Sequence, residues 1–113
     1  MTTETRWHDI CPIEELQDDL GLCALLDDAP VAVFRPGGQD RIFAIGNIDP
    51  FSRASVLSRG ITGDLKGRLV VASPVYKQHF DLATGDCVED ATVSVPVYPV
   101  RISGNILQVG TNN

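Results

Sequence analysis

No stretch of this 113-residue sequence comes near the ~18 consecutive apolar residues that a membrane-crossing helix requires. Cationic residues are scarce, nine Lys and Arg against 15 Asp and Glu for a net charge of −6, and they never form a run. A phosphate backbone is bound by a clustered basic face, so nucleic acid is excluded as a partner. Cysteine is limited to Cys11, Cys23 and Cys87, an odd number with no C-x-x-C pair. That excludes a secreted disulfide framework and fits reduced thiols in the cytosol. Met1-Thr2-Thr3-Glu4 has neither the basic start nor the apolar core of a signal peptide, and a cytoplasmic location is the expectation. No segment carries a long 3.6-residue apolar period, so helices contribute little. Gly37-Gly38 and Gly60-x-x-Gly63 match neither G-x-G-x-x-G nor a P-loop, and read as turns.

What is present is a series of short β-prone runs punctuated by turn residues. The hydrophobic share of 43% suits one ordinary core, and the length suits one domain spanning residues 1–113, with 1–6 and 110–113 as loose polar ends. Trp7-His8-Asp9-Ile10 reads as a strand ended by Cys11-Pro12, and residues 12–16 as a single helical turn. Residues 21–26 and 31–34 flank the turn cluster Asp27-Asp28-Ala29-Pro30, and Gly37-Gly38-Gln39-Asp40 is a second turn before a strand at 41–45. Residues 46–67 form the longest irregular stretch. Leu69-Val70-Val71 is a short run of the kind buried on both faces, ended by Ser73-Pro74. His79 to Leu82 alternate, Ala83-Thr84-Gly85-Asp86 turns, and a further strand is expected from Cys87. Pro96 and Pro99 mark residues 93–100 as an edge strand or crossover, and Ser103-Gly104-Asn105 closes a last hairpin. Strands joined by short polar turns predict an antiparallel all-β domain.

Two constellations invite a chemical reading from residue type alone. Ser73, His79 and Asp81 carry the groups of a hydrolytic triad, but Ser73-Pro74 supplies no nucleophile elbow or oxyanion hole. Cys11, Cys23 and Cys87 with His8 or His79 carry zinc-ligand types without paired spacing, and buried free thiols behave as small hydrophobes. Neither assigns a catalytic or metal-binding residue.

The central stretch Ser73-Pro74-Val75-Tyr76-Lys77-Gln78-His79-Phe80-Asp81-Leu82-Ala83-Thr84-Gly85 resembles the second ligand box of Rieske iron–sulfur domains, C-P-x-H-G-x-x-F-D-L-x-T-G. Proline, Phe-Asp-Leu and Thr-Gly fall in register, whereas Ser73 stands at the cysteine and Tyr76 at the histidine. Upstream, Asp49-Pro50-Phe51 stands where the first box reads C-P-H. Together with Asn-Ile-Asp-Pro-Phe-Ser, Ser-Arg-Gly and Pro-Val-Tyr-Pro-Val-Arg, these boxes make the chain similar to the small-subunit family of assimilatory NAD(P)H-dependent nitrite reductases, Rieske-like proteins without a cluster.

The resemblance implies an antiparallel Rieske-like β-sandwich with no catalytic or metal-binding residue. A Rieske cluster needs two thiolates on one iron and two imidazoles on the other, and Asp49, Phe51, Ser73 and Tyr76 supply none of them. It further implies a large-subunit partner carrying FAD, an iron–sulfur cluster and sirohaem, which reduces nitrite to ammonium. Phe51 and Tyr76 then either pack where the cluster would sit or, with Arg53, Val75 and Lys77, present a docking face. Two other roles stay open: a free-standing interaction module of the same fold, and a Rieske-type electron-carrying ferredoxin, which the four missing ligands disfavour.

Overall fold

The computed structural model describes residues 4–37 and 41–112. It is all-β and antiparallel, with ten strands in three sheets. One sheet joins β1 (Thr5–Pro12), β10 (Ile106–Asn112) and β9 (Val100–Ser103) in the order β1-β10-β9. The middle sheet runs β2 (Leu22–Leu26), β3 (Ala29–Phe34), β4 (Phe43–Gly46) and β8 (Val97–Tyr98). The third is β5 (Ile61–Leu65), β6 (Arg68–Ala72) and β7 (His79–Asp81).

The apolar run of β3 explains why the sandwich is three sheets deep. Successive strand side chains point to opposite faces, so Val31 and Val33 face one way, Ala32 and Phe34 the other, and all four are fully buried. Val31 and Val33 join Leu26, Ala44, Leu107, Val109 and Leu16 in a core against the β1-β10-β9 sheet. Ala32 and Phe34 join Phe43, Ile45, Val71, Phe80 and Leu82 in a second core against β6 and β7. A middle sheet covered on both sides must be apolar on both faces, hence the continuous run.

Several local expectations are corrected. The first strand does end at Pro12, but Cys11 and Pro12 are themselves part of the ladder, with a register shift between Asp9 and Cys11. Proline is tolerated there because β1 is an edge strand. Thr5 and Arg6, assigned to a loose end, ladder to Asn112 and Thr111. The turn at 27–30 contracts to Asp27-Asp28, both at positive φ (48° and 70°), while Ala29 and Pro30 already belong to β3. Positive φ at both central residues matches the strand twist in a two-residue hairpin. Part of the irregular stretch at 46–67 is strand β5, paired to β6 through a two-residue Lys66-Gly67 turn with φ of 53° and 87°. No strand opens at Cys87, which makes only an isolated bridge to Phe80. The expected helical turn is a 3-10 turn at Ile13–Glu15, and a second one, not expected, lies at Leu57–Arg59. Of the expected turn Gly37-Gly38-Gln39-Asp40, the last three residues lie outside the described residues. No helix is long and apolar enough to cross a membrane.

Candidate functional site

Two loops meet at one end of the second core: residues 47–60, between β4 and β5, and residues 73–78, between β6 and β7. The first is built around Asn47, 1% exposed. Its amide donates to Ser55 Oγ (2.8 Å) and its side-chain oxygen accepts from the Ser58 N–H (2.6 Å). Its main-chain carbonyl accepts from both Val56 and Leu57, at 3.0 Å each. Its side-chain oxygen and nitrogen and its carbonyl thus coil the loop, while its N–H donates to the Pro30 carbonyl at 2.9 Å and anchors the loop to β3. At the other end Gly60 approaches β6 so closely that a Cβ would lie 2.3 Å from the Ala72 carbonyl oxygen.

Asp49 and Ser73, one from each loop, are both fully buried and face each other. Ser73 Oγ donates to Asp49 Oδ2 at 2.5 Å, and the other carboxylate oxygen accepts from the Phe51 N–H at 2.8 Å. Ser73 Oγ accepts in turn from the Val75 N–H at 3.3 Å. Main-chain bonds close each loop beneath the pair: Arg53 N–H to the Asp49 carbonyl (2.6 Å), Lys77 N–H to the Ser73 carbonyl (3.1 Å) and Ser73 N–H to the Gln78 carbonyl (2.9 Å). Arg53 and Lys77 take φ of 63° and 68° to make these turns.

Burial pushes the Asp49 carboxyl up, but the Ser73 hydroxyl, the Phe51 and Ser52 N–H groups and the Ser52 hydroxyl outweigh it and hold the group below its ordinary value of 3.8. Asp49 is thus an anion at neutral pH, satisfied by donors from its own loop and its neighbour. It has no free lone pair directed at solvent and no adjacent base, so it is suited to tying loops together rather than to proton transfer.

The cluster that a Rieske-like fold implies does not fit these residues. The donor set is a carboxylate, a hydroxyl, a phenol and a phenyl ring, and soft thiolates are what such clusters select. The pair at the two cysteine positions is in direct hydrogen-bond contact, which leaves no room for an iron between them. At the histidine positions the outcome is divided. Phe51 turns inward against Phe80, with ring centroids 6.3 Å apart, whereas Tyr76 is 59% exposed. Arg53, Val75 and Lys77 are also exposed.

The other constellations come apart. Ser73 is engaged by Asp49, His79 Nδ1 lies 2.6 Å from Glu89 Oε2, and Asp81 accepts from Arg68 Nε (2.9 Å) and from the Ala83 and Thr84 N–H groups. No side chain of the supposed triad hydrogen-bonds to another. Cys11 is half-buried on β1, Cys23 exposed on β2 and Cys87 buried in the second core; all three are free thiols. Among the described residues no three His, Cys, Asp or Glu side chains gather in metal-binding geometry. Residue type alone could not reveal Asn47, whose importance lies in main-chain carbonyl geometry.

Comparisons with known proteins agree with this architecture. The Rieske-like [2Fe-2S] domain family matches residues 6–110. The chain is 48% identical over 105 residues to the nitrite reductase (NADH) small subunit of Escherichia coli (strain K12), covering 93% of this chain and 97% of that one. The NMR structure of the E. coli protein NirD superposes with a TM-score of 0.87 at 46% identity, covering 96% of this chain and 98% of that one. The nitrite reductase [NAD(P)H] large subunit of Klebsiella oxytoca contains a related stretch, 36% identical over 104 residues, spanning 92% of this chain but 11% of that protein. With the frame of both ligand boxes kept and nearly the whole chain matched, this protein belongs to the nitrite reductase small-subunit family of Rieske-like domains.

Proposed function

We propose that this chain is the small, cluster-free subunit of an assimilatory NAD(P)H nitrite reductase of the cytoplasm, and that it binds and positions the large catalytic subunit. The observation that carries this reading is the Asp49–Ser73 hydrogen bond at the two cysteine positions, inside a domain otherwise built like its small-subunit relatives. The lack of thiolate and imidazole donors at these positions counts against the ferredoxin role. The large subunit of K. oxytoca, which carries a related domain in its own chain, supports a physical association. Covalent linkage in one protein and separate chains in another serve the same contact when the two parts work as one unit.

In this reading FAD, an iron–sulfur cluster and sirohaem reside in the large subunit. Nitrogen passes from +3 in nitrite to −3 in ammonium, a six-electron reduction drawn from NADH or NADPH, and such chemistry belongs to cofactors. This chain contributes no catalytic residue. Co-purification with the large subunit, followed by NAD(P)H-dependent nitrite reduction with and without this chain, tests the proposal. A stoichiometric complex whose activity falls when this chain is removed is the expected result. Two chains that elute separately, with activity indifferent to this one, would defeat it.

A further inference from the structure

Charge is segregated on this molecule in a way the fold does not require. The chain is acidic overall, yet residues 46–61 and 73–78 carry Arg53, Arg59 and Lys77 and one carboxylate, Asp49, which is buried. All other carboxylates lie outside these two stretches. Elsewhere Arg6 pairs with Asp27, Arg35 with Asp18 and Arg68 with Asp81, while Arg41 stacks on Phe43 and Arg101 on Trp7. Among the described residues Arg53, Arg59 and Lys77 pair with no carboxylate, and the Lys77 ammonium donates to the Pro74 carbonyl at 3.1 Å.

The same end of the molecule exposes apolar surface. Ile61 is 78% exposed; Ile48, Val75 and Tyr76 are also more than a third exposed. Arg59, Ile61, Pro74 and Lys77 line one groove of about 100 Å³, so cations and apolar groups form a single surface. An apolar patch edged by charge of one sign marks a protein contact, and its rim selects a partner of opposite sign.

We infer that the tip docks on an apolar face of the large subunit edged by carboxylates, with Arg53, Arg59 and Lys77 forming the cationic rim. This rests on the subunit reading above and adds the face and its chemistry. Long-range attraction of this kind accelerates encounter and weakens as salt screens it. Because the rest of the chain carries the excess of carboxylates, the same field favours the tip over the other faces towards an acidic partner.

The test is the affinity of the purified chain for the purified large subunit across a range of NaCl concentrations, for the parent, Arg53→Glu, Arg59→Glu and Lys66→Glu. Lys66 is an exposed cation in the β5–β6 turn, outside the tip stretches, and serves as the control. Each tip reversal is expected to weaken binding about tenfold at low salt, with the gap closing as NaCl rises, while Lys66→Glu binds like the parent. Matching melting curves for all four proteins separate docking from folding. Tip variants that bind like the parent, or a Lys66→Glu variant that loses as much, would overturn the docking face and leave the subunit role intact. A parent chain that does not bind at any salt concentration would overturn both.

Discussion

Replacing Asp49 by alanine is expected to destabilise the domain by about 3 kcal/mol, a large part of the ~5–15 kcal/mol that holds a domain of this kind together. The substitution removes the acceptor for the Ser73 hydroxyl and for the Phe51 and Ser52 donors, and strands the fully buried hydroxyl. Ser73→Ala should cost less, about 2 kcal/mol, because the carboxylate keeps its donors from Phe51 and Ser52. The double variant should cost less than the two single losses together, since each removes the same bond. Denaturant melts with an unchanged slope and a lowered midpoint are the expected form of the result. Asp49→Asn adds a pH signature. The folded carboxyl titrates below its unfolded value of 3.8, so its stabilisation is complete above that value and is lost as pH falls through the folded one. The asparagine variant should therefore be less stable than the parent at pH 7 and converge on it in acid. Equal stabilities of parent and Asp49→Asn at neutral pH would show that the buried bridge contributes nothing.

Gly85→Ala is expected to be at least as damaging, about 3–5 kcal/mol. Gly85 has φ of 80°, and a Cβ there would sit 2.1 Å from the Val95 carbonyl oxygen. Backbone bonds clasp it on both sides: its N–H donates to the Asp81 carbonyl at 2.7 Å and its carbonyl accepts from the Val95 N–H at 2.8 Å. Val95 cannot retreat without pulling the crossover into β8 away from the second core, to which it belongs. Gly67 supplies the contrast, with φ of 87° but nothing within 4 Å of a Cβ. Gly67→Ala should cost only the ~1–2 kcal/mol of left-handed backbone. Similar losses for the two variants would mean that close approach at Gly85 is relieved cheaply.

Much of the fold was legible because one property decided each element. Val31 to Phe34 is an unbroken apolar run that suits a strand, and the middle sheet gives it two covered faces. Asp27-Asp28 and Gly104 stand where positive φ is needed. Strand β5 escaped sequence reading because Ile61-Thr62-Gly63-Asp64-Leu65 is an edge strand with an exposed isoleucine, a glycine and an aspartate. Its strand state comes from pairing with β6 and not from its own propensity. Cys87 erred the other way, since Cys-Val looks like a strand opening, yet the chain is held there by single bridges.

At the tip, the frame of the two boxes set the expectation that Asp49, Phe51, Ser73 and Tyr76 stand at ligand positions. How they are arranged there was not legible. Asp49 and Ser73 lie 24 residues apart, and residue type alone gives no reason for a carboxylate and a hydroxyl to be buried against each other. Phe51 and Tyr76, similar in kind, separate because Phe51 has Phe80 to pack on while Tyr76 lies at the rim. Arg59 gains significance only when β5 and the second loop bring it beside Lys77.

The central claim is that a hydrogen bond stands where iron-binding relatives place metal. Iron and acid-labile sulfide, assayed per chain on anaerobically purified protein, test it most directly. The account predicts background levels of both, with no visible absorption band from a cluster. About two irons and two sulfides per chain, the content of a [2Fe-2S] centre, would contradict it.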